Sequence, residues 1–204
     1  MTETRPPFVG LLLAAGAGRR LGRPKALIEL DRVPAVVTQV RRLDAAGAAA
    51  TTVVLGAAAE QAAPLLDGVP GVDIVVADDW DEGMGASLRA GLTALADAPE
   101  HVDAVLVTLV DLPDVTAEVL QRVLGAWASR GARRDDLLRA SYAGRPGHPV
   151  LLGRDHWAPL VSSLGGDVGA RTYLAERRVH DVSCEDLATG RDIDRPDDLP
   201  GARA

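Results

Sequence analysis

Four short apolar runs, Phe8–Ala14, Thr51–Leu55, Val72–Ala77 and Val102–Val110, alternate with helix-patterned stretches at Pro34–Ala46, Ala58–Leu66, Gly85–Ala98 and Ala117–Ser129. Strands of continuous apolar character are buried on both faces, and joining them through helices favours parallel pairing. The pattern therefore predicts an α/β fold, a mostly parallel sheet with helices on both sides. Pro34 suits a first helical turn, and Gly47 a stop. The second half is less regular. It reads as an Arg-rich bend (Arg130–Asp136), a strand-like Leu137–Ala143, a turn-rich Gly144–Pro149, a short strand Val150–Leu152, and helices near Asp155–Ser163 and Val168–Arg178. These would give the sheet a mixed edge. No repeat, low-complexity tract or linker divides the 204 residues, so one domain is expected.

Composition narrows the function. With 29 acidic against 22 basic residues the formal net charge is −7, which argues against a protein that coats nucleic acid by neutralising phosphates. Cys184 is alone, too little for a disulfide or a Cys-rich zinc site, and suits a cytoplasmic setting. Neither the N-terminal residues nor any apolar run has the character of a targeting or membrane segment, so no membrane association is expected. Among the basic residues, 21 are arginine and one, Lys25, is lysine. Where arginine serves as the general cation, a remaining lysine marks a place where a compact ammonium is required.

Lys25 ends the segment that follows the first strand, Ala14-Ala15-Gly16-Ala17-Gly18-Arg19-Arg20-Leu21-Gly22-Arg23-Pro24-Lys25. Ligands of open α/β sheets bind at the carboxyl ends of strands, and a small-residue loop there lets backbone N–H groups approach a phosphate. A dinucleotide fingerprint fails twice: the third glycine comes one residue late, and the second strand ends in Gly56-Ala57-Ala58 without an acid for a ribose. A P-loop fails because Lys25 stands between proline and alanine. Asp111 closes the fourth apolar run, where a carboxylate is costly unless it is paired or metal-bound. The segment Gly83-Met84-Gly85-Ala86-Ser87 opens a helix, where Ser87 could bind a polar ligand or serve as a cap while Met84 fills core. Arg20, with a bidentate fork, and Lys25, with a compact point charge, suit phosphate, and Arg19 and Arg23 suit solvent.

Leu13-Ala14-Ala15-Gly16 with Arg20, Gly22 and Lys25 resembles the signature of the MobA/MocA-like NTP transferases, which attach a nucleotide to molybdopterin. The resemblance extends through Glu82–Leu88, Val110-Asp111-Leu112-Pro113, Gly147-His148-Pro149-Val150, Gly166–Arg171 and Asp192–Leu199. It implies a single-domain, three-layer α/β/α fold with a Rossmann-like sheet of the nucleotidyltransferase type. Residues 8–115 would bind the nucleotide, and 116–204 the acceptor and second metal ligand. The implied reaction passes a nucleotide from CTP or GTP to the phosphate of molybdopterin or molybdenum cofactor, with Mg²⁺ or Mn²⁺, for a molybdenum hydroxylase as recipient. By resemblance Arg20, Lys25 and Asp111 are catalytic, and Leu13, Ala14, Ala15, Gly16, Gly18, Gly83 and Ser87 bind the nucleotide. His148 and Arg171 face the acceptor; Asp111 holds the metal with Asp194, Asp192 being the competing choice. Ala15 and Pro24 favour CTP, since the guanylyl branch usually has glycine and aspartate there. Gly18, Leu112 and Arg195 depart from the usual serine, glutamine and threonine, which leaves base and acceptor choice more open than activity. A sugar phosphate acceptor and a non-catalytic cofactor-delivery role are the alternatives.

Overall fold

The structure, a computed structural model, describes residues 6–165 and 169–199. Its strands are β1 (Phe8–Ala14), β2 (Glu29–Leu30), β3 (Val33–Pro34), β4 (Thr51–Leu55), β5 (Val72–Val76), β6 (Ala104–Leu109), β7 (Leu137–Tyr142), β8 (Arg145–Gly153) and β9 (His180–Ser183). Its α-helices are α1 (Ala35–Ala45), α2 (Ala59–Ala62), α3 (Met84–Ala94), α4 (Ala117–Ser129), α5 (Trp157–Ser163) and α6 (Arg171–Ala175). Seven strands form one sheet in the order β5-β4-β1-β6-β8-β7-β9, parallel except for β8, which runs antiparallel between β6 and β7.

β1 shows why the apolar runs are continuous. Every residue of it is buried. Phe8, Leu12 and Ala14 enter one core layer with Val36, Val40 and Leu43 of α1 and Val119, Leu120 and Trp127 of α4. Val9, Leu11 and Leu13 enter the other with Leu88 and Leu92 of α3 and Trp157 and Leu160 of α5. Period-two alternation thus feeds two cores instead of one core and solvent, giving the three-layer α/β/α arrangement.

The expected strands and helices of the first half appear within a few residues of their expected ends, the helix at 58–66 completing its span as a 3-10 turn, Ala63–Leu66, after Pro64. The second half corrects the reading. The turn-rich Gly144–Pro149 is mostly strand, because β8 begins at Arg145 and pairs with β7 on both sides of a bulge. Only Ala143 and Gly144, both with positive φ, make the turn. The β2–β3 hairpin and β9 are short pieces that pattern reading missed. Of the helix expected at Val168–Arg178, α6 covers Arg171–Ala175; Gly166, Asp167 and Val168 lie outside the described residues. No helix among the described residues is long and apolar enough to cross a membrane.

Chain order reverses between β1 and β6: the chain steps outward from β1 to β4 and β5, then returns across α3 to β6. The carboxyl ends of β1 and β6 therefore border a crevice at the point where ligands of such sheets bind.

Candidate active site

The loop after β1 folds back on itself. The Gly22 N–H donates to the Gly18 carbonyl at 2.8 Å and the Lys25 N–H to the Gly16 carbonyl at 3.2 Å, which stands Lys25 beside the glycines. Gly18 has φ +59°, and a Cβ there would lie 1.9 Å from the Arg23 carbonyl oxygen. Only glycine fits that turn.

Lys25 meets two carboxylates from distant parts of the chain. Its Nζ donates to Asp111 Oδ2 at 2.6 Å and to Asp194 Oδ1 at 3.0 Å, and Arg20 pairs with the other Asp194 oxygen at 2.7 Å. Asp111 is buried, with 7% of its surface exposed. Burial pushes its carboxyl above the usual range against the pull of Lys25, and Asp192 adds to that push. Burial also works against the Lys25 ammonium, but Asp111 and then Asp194 outweigh it and raise its pKa. The Lys25 hydrogen bond, helped by Arg20 and Arg195, holds Asp194 below the ordinary carboxylate range.

Asp111 Oδ1 is buried and has no hydrogen-bond partner among the described residues. An oxygen desolvated in that way costs free energy unless a cation or donor completes it. Two carboxylates on one ammonium, one with an unfilled oxygen, suit a Mg²⁺-type ion that takes one or two protein carboxylates with substrate phosphates. No group of three or more His, Cys, Asp or Glu that could hold a metal by itself occurs among the described residues.

Asp194 is brought in by its neighbours. The Ile193 N–H donates to the Asp111 carbonyl at 2.9 Å, and the Ile193 side chain is fully buried. Further back, Asp114 Oδ2 accepts from both the N–H and the hydroxyl of Thr189 at 2.6 Å. On the other side, Gln39 and Arg42 of α1 donate to the carbonyls of Leu112, Pro113 and Val115, so the turn after Asp111 is held from both directions. Asp114→Ala should loosen the tail alone. The expected outcome is amide hydrogen exchange at Ile193 faster by about tenfold or more, the loss of one charge-assisted bond pair, with β1 unchanged. Unchanged exchange at Ile193 would show that burial of its side chain holds the tail unaided.

A cleft of about 300 Å³ opens beside this constellation, lined by Leu13, Ala15, Gly16, Gly18, Lys25, Gly83, Ser87 and Asp111 among the expected residues. Ala14 is not at the cleft: alternation along β1 turns it into the opposite core. Arg19, expected in solvent, is exposed yet lines the cleft. Ser87 does not cap α3, whose N-cap is Gly83, and instead lies buried one turn in. Met84 is no core filler but 48% exposed at the cleft wall. Trp80 and Asp81, on a 3-10 turn before α3, also line it and were missed. His148 and Arg171 are not among the lining residues. The β6–β8 register carries His148 toward the carboxyl end of β6, where its carbonyl accepts from the Tyr142 hydroxyl at 2.7 Å. Burial pushes its imidazole down to about 4, so it is neutral near pH 7.

The chain belongs to the MobA-like NTP transferase domain family, which it matches over residues 10–182. Membership places it among enzymes of the nucleotidyltransferase type. It is 35% identical over 205 residues to nicotine blue oxidoreductase of Paenarthrobacter nicotinovorans, covering 95% of this chain and 96% of that protein. It is 28% identical over 161 residues to molybdenum cofactor guanylyltransferase of Rhodobacter capsulatus, covering 76% and 67%. The crystal structure of Rv0371c from Mycobacterium tuberculosis H37Rv superposes with a TM-score of 0.78, at 26% identity and 96% coverage of both chains.

Proposed function

We propose that the protein transfers a nucleotide, CMP in preference to GMP, from an NTP to the terminal phosphate of molybdopterin or molybdenum cofactor. The observation that carries this reading is the meeting of Arg20, Lys25, Asp111 and Asp194 at the carboxyl ends of β1 and β6, with one Asp111 oxygen left unfilled. Ala15 and Pro24 are the residues that favour CTP.

In the step itself an oxygen of the acceptor phosphate attacks the α-phosphorus. A new P–O bond forms, the bond to the bridging oxygen breaks, and pyrophosphate leaves with the electron pair. Little proton transfer is required, so the protein works by positioning and by cancelling charge. Asp111 and Asp194 would hold a Mg²⁺ or Mn²⁺ ion, which supplies positive charge to the triphosphate when bound. Lys25 then exchanges its carboxylate contacts for phosphate oxygens, and its single mobile ammonium can follow them through the reaction. Arg20, exposed and reaching inward to Asp194, grips the outer phosphates. Gly16 and Gly18 keep the loop backbone close, while Gly83 and Ser87 border the nucleoside. His148, as a neutral imidazole, and Arg171 are assigned to the acceptor. A molybdenum hydroxylase is the proposed recipient.

A second reading is favoured by the relative named an oxidoreductase, which matches nearly the whole chain. Against it stand the late third glycine and the acid-free end of β4. One assay separates the two. Each NTP is incubated with Mg²⁺ and molybdenum-loaded molybdopterin and pyrophosphate is measured, in parallel with oxidation of NADH and NADPH in the presence of an electron acceptor. Pyrophosphate release with CTP is the expected result. Nicotinamide oxidation without any pyrophosphate release would transfer the cleft to the second reading, and release with a sugar phosphate alone would change the acceptor.

A further inference from the structure

The chain holds six aromatic residues. Five are buried: Phe8, Trp127, Tyr142, Trp157 and Tyr173, each at 6% exposure or less. Trp80 alone is partly exposed, and it lines the same cleft as Gly16, Lys25 and Asp111. Trp80 packs against the core that holds Leu88 and Leu92, and an indole left partly open at a ligand cleft gives up apolar burial unless a flat partner covers it there.

Its seat is built for a fixed position. Gly56, just beyond β4, lies so close that a Cβ there would come within 2.6 Å of Trp80 Cβ and Cγ and 2.8 Å of Ala15 Cβ. The Trp80 N–H donates to the Ala77 carbonyl and the Gly83 N–H to the Trp80 carbonyl, each at 3.2 Å. On either side of Trp80, Asp79 and Glu82 both reach Arg89 of α3, at 2.5 and 3.5 Å. The turn is thereby tied to the helix that carries Ser87. The exposed, polarizable Met84 lines the same cleft.

We propose that Trp80 is the platform on which the nucleobase stacks, with Met84 beside it and Ser87 at the polar edge. The proposal rests on the nucleotidyl-transfer reading and deepens it: Lys25 and the glycine loop take the triphosphate, and Trp80 takes the base. A stacked base gains affinity that does not depend on its hydrogen-bonding pattern, so Trp80 should favour nucleotides over bare polyphosphate and leave the choice of base to other groups.

The test compares CTP, GTP and inorganic tripolyphosphate on the full chain by calorimetry, together with acrylamide quenching of tryptophan emission. Because Trp127 and Trp157 are buried, quenching reports Trp80. Nucleotide should protect Trp80 from acrylamide, and tripolyphosphate should not. Trp80→Ala should weaken CTP binding by about 10–100-fold with tripolyphosphate binding unchanged, and Trp80→Phe should restore most of the loss. If wild-type protein binds CTP with no change in Trp80 quenching, or Trp80→Ala binds it at wild-type affinity, the stacking proposal is overturned and the nucleotidyl-transfer reading survives. Failure of wild-type protein to bind any NTP would overturn both.

Discussion

Asp111→Asn is expected to lower turnover by about a thousandfold or more while leaving the fold in place. That loss corresponds to about 4 kcal/mol of transition-state stabilisation, the size seen when a group aimed at developing charge is removed from a desolvated site. The carboxylate has one oxygen on Lys25 and the other facing no partner. An amide supplies only one acceptor, and its NH2 would confront the cation or the lysine. Stability should change little, because burial already penalises the charge that asparagine removes and Lys25 keeps Asp194. Initial rates at saturating metal and NTP, with thermal melts of both proteins, make the check. Turnover near wild type would mean that the metal is held elsewhere.

Lys25→Met should damage both activity and stability. On the proposed reading it strips triphosphate of its inner cation, and it leaves Asp111 buried without a counter-charge. Breaking a buried pair from one side costs about 3–5 kcal/mol, which lowers the melting temperature by about 6–20 °C for a domain of this size. The cost depends on pH. In the variant the Asp111 carboxyl is raised by burial with no ammonium to oppose it, so the folded state binds a proton more tightly than the unfolded state does. Its stability relative to wild type is therefore poorest at neutral pH and recovers as the pH falls through that raised value. The double variant Lys25→Met/Asp111→Asn should melt close to wild type and remain inactive. Equal melting temperatures for wild type and Lys25→Met at both pH 5 and pH 7.5 would refute the coupling.

The sheet was legible because β1 is apolar along its whole length and β4 and β6 add only threonines to apolar residues, and such strands have few alternatives to the middle of a covered sheet. The loop after β1 was legible because its glycines and its single lysine are unusual against the rest of the composition. The second half was harder for a physical reason. β8 starts Arg-Pro-Gly, residues that signal a turn, and is held as strand by the ladder to β7, which no local pattern reveals. β9 follows the same rule, four residues with an exposed, polar pattern paired to β7. At the site, Asp194 was expected by resemblance within a run of acids; the structure brings it to Lys25, while Asp192 is exposed and acts on Asp111 only through its charge. Trp80 carries a signal in the sequence as well, a tryptophan just after a strand in a chain with only six aromatic residues.

The hydrogen bond from Ile193 to Asp111 also sets an order in time. Synthesis proceeds from the N-terminus, and a domain folds as a unit once its chain is made. Loop, cleft, Lys25 and Asp111 are all made before β8 and β9 exist, while Asp194 comes from the last stretch of the chain. Every residue that lines the cleft is thus made well before the second acid, Asp194. On the proposed reading, a chain without residues 189–199 would lack its second acid and is expected to bind nucleotide without consuming it.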